Sequence, residues 1–266
     1  MILGEPAPAK LNLALHVRGK LPDGRHAIET LFAFCLDGDR VEGELADRLS
    51  LAVSGPFAGK LGEGNLMLDA ALALAEAAGI EQRAALTLTK TLPVAAGIGG
   101  GSADAAATLR LLTRLWKIDP AHAAAVAPTL GADVPACLLS MTARGDGAGD
   151  MLVLANDPDI AGAPVLLVNP RIALSTRDVF AAWDGEDRGA LGEWRDGRND
   201  LEPAARSLVP EIGTVLDWLA EQPRANFVRM SGSGATCFAV FDSEQARDTA
   251  AAACPASWWH LGSVLR

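Results

Sequence analysis

The sequence predicts an α+β protein of two domains, and three observations lead to this prediction. Polar and apolar residues alternate at 9–17, as in a strand that packs on a core. A glycine-rich loop near residue 100 joins a predicted strand to a predicted helix. From residue 165 onwards, helix and strand patterns alternate, which is typical of helices packed on a sheet. We place the domain boundary near residue 155, in the Gly-, Asp- and Asn-rich segment 142–159, which gives domains 1–155 and 156–266.

The first half is expected to start as an antiparallel sheet. In the strand at 9–17, leucines and Val17 share one face, whereas Lys10 and Asn12 share the other and point to solvent or into a site. The sequence Leu-Pro-Asp-Gly-Arg-His at 21–26 predicts a hairpin turn, because Pro sets φ and Asp-Gly tolerates a tight corner. Short strands separated by Gly and Asp are then expected at 28–36, 40–45 and 49–54.

Helices are expected in the rest of this half. Segment 65–78 is apolar at most positions and precedes Gly79, which predicts a mostly buried helix with a C-terminal glycine. Asp119 and Pro120 predict the start of a short helix that ends near residue 128. Asp133 occupies a position that is more typical of a helix cap than of a catalytic carboxylate, and both interpretations stay open.

The second half is expected to be a sheet with helices, preceded by a short strand at 151–154. A polar, weakly structured stretch is expected at 184–198, and a Ser-Gly-Ser-Gly turn at 231–234, which we call the late turn. The predicted strands are 165–168, 226–229, 236–241 and 258–265. The predicted helices are 176–183, 201–207, 211–221 and 243–253.

The chain is organised around residues 86–115, which are predicted to form a strand, a glycine loop and a helix. Pro93 ends the strand, and the glycines Gly97, Gly99, Gly100 and Gly101 follow. Ser102 is predicted to be the N-cap of the helix, and Asp104 is predicted to add negative charge to the first turn.

Such an arrangement can bind anions. Glycines let backbone N–H groups approach a ligand, and the positive end of the helix dipole favours phosphate oxygens. The alternative is a mobile loop without a ligand. The loop is not a Walker A motif, since it lacks the terminal Lys-Ser/Thr pair, and it lacks the context of a dinucleotide fingerprint.

Composition narrows the class of protein. The chain has 266 residues, half of them hydrophobic, which is enough for a sizeable core. Its net charge of −10 makes nucleic acid an unexpected partner, although a local basic pocket for a small phosphorylated ligand remains allowed. Neither a charge-free apolar run of bilayer length nor a signal-peptide pattern is present, so we expect a cytoplasmic protein without a membrane partner.

The cysteines and histidines do not form a metal-binding pattern. The chain has 4 of each, widely spaced and without a C-x-x-C pair. Cys35, Cys137, Cys237 and Cys254 have apolar neighbours and are expected to be buried, reduced thiols. Any metal is therefore expected to arrive with a nucleotide.

Three stretches together resemble one family. They are APAKLNLAL around Lys10, PVAAGIGGGSADAA in the glycine loop, and SGSGATCFAVF from the late turn, and they match the three motifs of the GHMP kinases in order and spacing. Narrower strings are similar to the branch of that family that acts on 4-diphosphocytidyl-2-C-methyl-D-erythritol. They are PDG-x-H at 22–26, the triple glycine before Ser102, LGADVP at 130–135 and NDLEPAA at 199–205.

The resemblance implies a fold and a reaction. The fold is a two-domain GHMP kinase fold, with an N-terminal ATP-binding domain of the ribosomal protein S5 domain 2-like type and a C-terminal ferredoxin-like α/β sandwich. The reaction is transfer of the γ-phosphoryl group of ATP, with Mg²⁺, to the 2-hydroxyl of the cytidine diphospho-substrate. This step belongs to the non-mevalonate route to the isoprenoid precursor isopentenyl diphosphate. A monomer or a weak homodimer is expected.

The resemblance also implies roles for residues. Lys10 and Asp133 would be catalytic, and Ser102 would lie near Mg²⁺. The residues implied at ATP are Pro93, Val94, Ala95, Ala96, Gly97, Ile98, Gly99, Gly100, Gly101, Ser102 and Ala103 in the loop, with Asn65 and Leu66 near the adenine. Those implied at the substrate are Asn12, Arg25, His26, Thr176 and Phe180, with His26 at the cytosine edge.

Two positions depart from the family pattern. Arg25 stands where the family usually has Tyr, and a guanidinium plane can still stack on a base. Ala103 stands where a second serine is usual, which removes one possible hydroxyl contact with phosphate. Two alternatives stay open: a GHMP kinase for mevalonate, homoserine or a sugar, and an inactive relative that binds a ligand and regulates a partner.

Overall fold

The computed structural model describes residues 1–60 and 64–266. It divides into two compact units, which we call the first unit and the second unit. The first unit comprises Met1–Ala9, Asp37–Val94 and Gly99–Ser140. The second unit comprises Lys10–Leu36, Ala95–Ile98 and Met141–Arg266. Each unit is built from three separate segments of the chain. The single domain boundary near residue 155 stays a prediction.

The chain starts with two long strands, β1 (Leu3–Lys20) and β2 (His26–Glu44), which pair with each other as the predicted hairpin. The separate strands predicted at 28–36 and 40–45 are wrong, because β2 runs through both. The intervening Asp-Gly-Asp has a packing role instead of forming a turn. A Cβ at Gly38 would lie 2.2 Å from the carbonyl oxygen of Ala7, so only glycine allows this close approach.

Two further strands extend the sheet of β1 and β2 within the first unit. The end of β2 pairs antiparallel with β4 (Ala85–Thr89), and β3 (Ser50–Ser54) pairs parallel with β4. The helices of this unit are α1 (Leu66–Ala78), α2 (Gly100–Trp116), α3 (Pro120–Leu130) and α4 (Val134–Leu139), with a short 3-10 helix at Ala58–Lys60. As predicted, α1 ends at Gly79 in the left-handed region (φ 66°), and Asp119 caps α3 by accepting from Ala121 N.

The predicted start of α2 is wrong. The helix begins at Gly100, with Gly99 as its N-cap in the left-handed region (φ 63°), so Ser102 is its third residue. Glycine adopts this φ without strain, and the chain can therefore enter the helix earlier than the capping preference of serine suggests. Asp104 is also buried, where it forms an ion pair with Lys90.

The second unit contains the remaining strands and helices. Residues 30–32 of β2 pair antiparallel with β5 (Ala143–Asp146), which pairs with β6 (Met151–Leu154). Strand β5 was not predicted, because its sequence Ala-Arg-Gly-Asp has the composition of a loop. A second, antiparallel sheet has the order β10-β7-β9-β8, formed by β7 (Pro164–Asn169), β8 (Ala225–Met230), β9 (Cys237–Phe241) and β10 (Trp259–Val264).

Helices α5 (Thr176–Ala182), α6 (Glu202–Leu208), α7 (Glu211–Ala220) and α8 (Glu244–Ala253) belong to the same unit. One hydrophobic cluster joins them to the second sheet. Ile212 and Leu219 of α7 meet Ala239 and Phe241 of β9 in this cluster. All these elements agree with the predicted ones to within a few residues, and the stretch 184–198 has neither helix nor strand, as expected.

All four cysteines are reduced thiols, as predicted, but Cys254 is half-buried instead of buried. Cys35, Cys137 and Cys237 are buried, and burial raises the pKa of the half-buried Cys254 to about 11. Among residues 1–60 and 64–266, no helix is long and apolar enough to cross a membrane.

Candidate active site

Strand β1 carries Lys10 and Asn12 in the interior of the second unit. Lys10 is 3% exposed and Asn12 2% exposed, while Leu11 and Leu13 on the opposite face are fully buried. Both faces of the strand are therefore covered, and the interpretation of a solvated polar face is wrong. A buried ammonium and a buried amide need partners, because an unpaired polar group in the interior costs free energy.

A chain of hydrogen bonds supplies those partners. Lys10 Nζ donates to Asn12 Oδ1 at 2.8 Å, and Asn12 Nδ2 donates to Thr30 Oγ1 at 2.8 Å. Thr30 Oγ1 in turn donates to the carbonyl oxygen of Ala14 at 2.6 Å. The Lys10 ammonium also lies 5.1 Å from the centroid of the Phe32 ring, which adds a cation–π contact.

The late turn contacts both β1 and residues 95–98 of the glycine loop. Ser231 Oγ accepts from Asn12 N at 3.2 Å and donates to the carbonyl oxygen of Gly97 at 3.0 Å. Gly97 has a φ of 74°, and a Cβ there would lie 2.5 Å from Ser231 O and 2.6 Å from Gly234 O. Backbone therefore packs directly on backbone at this point, which requires glycine at residue 97.

The other predicted loop residues differ in exposure. Val94, Ala95 and Gly101 are exposed. Those with buried side chains or rings are Pro93, Ala96, Ile98 and Ala103, and those that are half-buried are Gly97, Gly99, Gly100 and Ser102. The buried members can offer a ligand only their backbone.

The start of α2 presents N–H groups of the kind that can bind an anion. The N–H of Ala103 donates to Gly99 O at 2.8 Å, which closes the first turn. The N–H groups of Gly100, Gly101 and Ser102 come before this bond, and such N-terminal groups bind anions. A Cβ at Gly101 would meet no described atom within 4 Å. Neither backbone geometry nor packing therefore explains the glycine at residue 101, whereas close approach of a ligand would.

A buried ion cluster lies beside the same turn. Lys90 Nζ donates to Asp39 Oδ2 at 2.6 Å and to Asp104 Oδ2 at 2.5 Å, and a Cβ at Gly100 would be 3.2 Å from this nitrogen. Asp39 Oδ1 also accepts from the backbone N–H groups of residues 91 and 92. Burial raises the pKa of Asp104 to about 7, and its Oδ1 has no hydrogen-bond partner within the described chain. The cluster links β2, the residue after β4, and α2.

Asp133 stands at the N-cap position of α4, but its side chain makes no capping hydrogen bond. The structure therefore does not support the interpretation of Asp133 as a conventional cap. Asn65, by contrast, is a true cap, since its side chain accepts from Met67 N at 2.9 Å at the start of α1. Leu66 is the first residue of that helix and is half-buried.

An aromatic cluster contains two predicted substrate residues. His26 stacks on Phe180 with ring centroids 4.4 Å apart, and Trp183 meets His26 edge-on at 5.8 Å. Burial, assisted by the positive charge of Lys20, lowers the pKa of His26 below its ordinary value of 6.5. The imidazole is thus neutral at pH 7, with one donor and one acceptor nitrogen. Trp183 Nε1 is buried and has no hydrogen-bond partner in the described part of the chain.

The remaining predicted substrate residues, Thr176 and Arg25, have polar partners. Thr176 Oγ1 lies 2.9 Å from Ser233 Oγ of the late turn. Arg25 forms ion pairs with Asp23 at 2.8 Å and with Asp150 at 3.1 Å. Both carboxylates engage N–H groups in the plane of the guanidinium, so these ion pairs are compatible with a base stacked on its face.

Comparison with known proteins identifies the family. The GHMP kinases N terminal domain matches residues 65–141, and the GHMP kinases C terminal domain matches residues 180–260. A 4-diphosphocytidyl-2-C-methyl-D-erythritol kinase of Rhizorhabdus wittichii is 53% identical, over 98% of this chain and 94% of that protein. The chain belongs to the 4-diphosphocytidyl-2-C-methyl-D-erythritol kinase family. A family member of Novosphingobium aromaticivorans is 52% identical, over 100% of this chain and 94% of that protein.

Solved structures agree with this family membership. A crystal structure of 4-(cytidine 5'-diphospho)-2C-methyl-D-erythritol kinase has a TM-score of 0.85 and 32% identity and covers 99% of both chains. Homoserine kinase from Cytophaga hutchinsonii, at 20% identity and a TM-score of 0.70 over 99% of this chain and 95% of its own, shares the fold. The predicted two-domain GHMP kinase fold is therefore confirmed.

Sequence reasoning missed several residues that the structure brings to the predicted ones. They are Thr30, Lys90, Asp39 and Trp183. Thr30 and Asp39 lie in ordinary strand positions, and nothing in their local sequence marks them. Lys90 had a usable signal, since a charged residue between the apolar strand and the glycine loop of a kinase family is worth examining.

Proposed function

We propose that this chain transfers the γ-phosphoryl group of ATP to the 2-hydroxyl of 4-diphosphocytidyl-2-C-methyl-D-erythritol, in the non-mevalonate route to isopentenyl diphosphate. The observation that carries this proposal is the 53% identity, over 98% of the chain, to a kinase named for this substrate. Phosphoryl transfer depends mainly on positioning and on electrostatic stabilisation of charged oxygens. The glycine loop, the buried ammonium of Lys10 and the carboxylate of Asp133, which makes no capping hydrogen bond, are groups suited to these tasks.

The loop residues 93–103 are proposed to bind the phosphates of ATP through backbone N–H groups. The open space at Gly101 and the early start of α2 support this role. Asn65 and Leu66 are proposed to lie near the adenine. Mg²⁺ would neutralise charge on the phosphate oxygens, with the Ser102 hydroxyl as a hard oxygen donor in the same turn.

Asp133 is proposed to be the base. The substrate oxygen attacks the γ-phosphorus, the bond from this phosphorus to the β,γ-bridging oxygen breaks, and ADP leaves. The proton of the hydroxyl passes to the carboxylate of Asp133. Lys10 is proposed to stabilise negative charge on the transferred group, and its fixed ammonium supports this role.

The cytidine end of the substrate is proposed to bind at His26 and Phe180. The neutral imidazole can pair with the donor and acceptor edge of cytosine, and the aromatic faces can stack on the base. Thr176 and Asn12 are proposed to contact the rest of the substrate. Arg25 is proposed to stack on the base through the face of its guanidinium, whose edge forms the two ion pairs.

The proposal extends to the setting of the enzyme. We propose a cytoplasmic protein that acts as a monomer or a weak homodimer, without nucleic-acid or membrane partners. The net charge of −10 supports the exclusion of nucleic acid.

The decisive experiment measures ATP-dependent phosphorylation of four kinds of alcohol: the cytidine diphospho-substrate, mevalonate, homoserine and galactose. We expect kcat/KM for the first to exceed the others by several orders of magnitude. A preference for any other alcohol would replace the proposed substrate, and ATP binding without turnover of all four would indicate an inactive relative.

A further inference from the structure

Thr30 is buried in β2 and bridges two polar groups of β1. Its side chain is 0% exposed. The hydroxyl oxygen accepts from Asn12 Nδ2 at 2.8 Å, and the hydroxyl hydrogen is donated to Ala14 O at 2.6 Å. Both bonds lie inside the second unit, so they belong to one compact body.

The donors and acceptors of these hydrogen bonds can be assigned in only one way. A backbone carbonyl can only accept, so the single hydrogen of Thr30 must point to Ala14. The Thr30 oxygen can then only accept from Asn12, which must present its amide nitrogen. The amide oxygen of Asn12 consequently faces Lys10, whose ammonium has donors and no acceptor.

The opposite orientation of Asn12 is excluded by the same chemistry. A flipped amide would point its N–H₂ group at the Lys10 ammonium and its oxygen at a hydroxyl that has no hydrogen left to donate. The backbone N–H of Asn12 is also held, by Ser231 at 3.2 Å. Thr30 therefore selects, together with Lys10, the orientation of the Asn12 side chain.

We propose that Thr30 is a positioning residue for phosphoryl transfer, which sets the Asn12 amide and through it the place of the Lys10 ammonium. The inference rests on the proposed function in one respect, namely that Lys10 acts on the transferred group. Asn12 keeps one N–H and one lone pair beyond these two bonds, so a substrate contact at Asn12 is compatible with its positioning role.

The test compares two substitutions that each change the side chain of Thr30 only slightly. Thr30→Val removes the hydroxyl and keeps the shape, whereas Thr30→Ser keeps the hydroxyl and removes a methyl group. We expect Thr30→Val to lower kcat by about 10-fold to 100-fold, as small misplacements of catalytic groups do, with the KM for ATP nearly unchanged. Thr30→Ser should recover most of kcat. Equal kcat values in the two variants would overturn the proposal.

A double-variant cycle separates positioning from a merely structural role. In a Lys10→Met background, the Thr30→Val substitution should cause no further loss of kcat, because no ammonium remains to be positioned. If the two losses multiply instead, Thr30 acts independently of Lys10 and the proposal is wrong. Thermal unfolding of each variant identifies any that fails to fold, in which case Thr30→Ala replaces Thr30→Val.

The experiments distinguish a wrong substrate assignment from a wrong role for Thr30. If the protein phosphorylates another alcohol, the cycle is run with that alcohol and remains decisive. If it phosphorylates none, a spectrum of ¹⁵N-labelled lysine ammonium groups supplies the readout. A held Lys10 ammonium gives a signal that Thr30→Val abolishes and Thr30→Ser retains, and an unchanged signal in Thr30→Val would contradict the proposal.

Discussion

At the scale of single residues, environment decides among chemically similar groups. Asp119 and Asp133 both precede helices, yet Asp119 caps its helix through Ala121 N, and Asp133 makes no such bond. A third carboxylate, Asp104, is buried against Lys90. The same side chain thus serves as a cap, as a proposed base and as an ion-pair partner, and only its surroundings separate these roles.

The role of Asp133 can be tested by Asp133→Asn. We expect kcat to fall by about 100-fold to 10,000-fold, because a positioned base contributes this much, while the Kd for ATP stays nearly constant. The control is Asp119→Asn, which keeps a capping side chain and should leave kcat unchanged. Turnover close to that of the unsubstituted enzyme in Asp133→Asn would show that this carboxylate is not the base.

His26 predicts a pH dependence of substrate binding. Its pKa is lowered from 6.5, so the ring is neutral above that pH and gains a proton only under more acidic conditions. Protonation removes the acceptor nitrogen, and the KM for the cytidine substrate should therefore rise as the pH falls below 6.5.

The matched variant for this experiment is His26→Gln. It should have a higher KM at pH 8 and should lack the additional rise at acid pH. A rise of the same size in both proteins would assign the titration to the phosphates of the substrates or to another group of the enzyme.

At the scale of elements, the positions of the glycine loop that carry glycine do so for different physical reasons. Gly97 is required by its φ of 74° and by the backbone of the late turn. Gly99 turns the chain into α2 at a φ of 63°. Gly101 has open space around it and no positive φ, and the proposed phosphate contact would give a reason for its lack of a side chain.

Alanine substitutions at two of these glycines should affect the free energy of unfolding differently. Gly101→Ala should leave the free energy of unfolding unchanged or raise it by up to about 1 kcal/mol, because alanine favours helix, while KM for ATP rises. Gly97→Ala should lower the free energy of unfolding by more than about 1 kcal/mol, since alanine is strained at positive φ. Urea unfolding and ATP titration measure both. Unchanged ATP affinity in Gly101→Ala would exclude phosphate from this position.

At the scale of the whole molecule, the buried Asp39–Lys90–Asp104 cluster contributes to global stability. Replacing Lys90 by Met leaves two carboxylates buried without their cation, and we expect a loss of about 3–5 kcal/mol in the free energy of unfolding. Asp104→Asn keeps an oxygen for Lys90 and should cost much less. Equal losses in the two variants would show that the cation does not neutralise this cluster.

Most of the fold could be predicted from the sequence, because alternation, turn residues and caps act locally. The resemblance identified the two-domain fold, and helices α1, α3 and α5 to α8 lie where their patterns indicate. The errors occur where distant residues decide. Asp-Gly-Asp at 37–39 resembles a turn, but Gly38 and Asp39 meet Ala7 and Lys90 inside the first unit.

The candidate site was predictable in part for the same reason. Motifs indicate Lys10, the glycine loop and Asp133, because their residue types carry the chemistry. The groups that hold them, such as Thr30 and Ser231, are common residues that become important only through a partner far along the chain. Apart from the family resemblance, no pattern in the sequence joins residue 97 to residue 231.

The contact of Gly97 with the late turn has a consequence for protein synthesis. The glycine loop acquires its neighbours only when residues 231–234 have left the ribosome, long after residue 97 itself has emerged. A nascent chain stopped before residue 231 should therefore bind nucleotide poorly, even though every residue proposed for the phosphates has been made. Competence for ATP is then expected only after residue 234 has emerged.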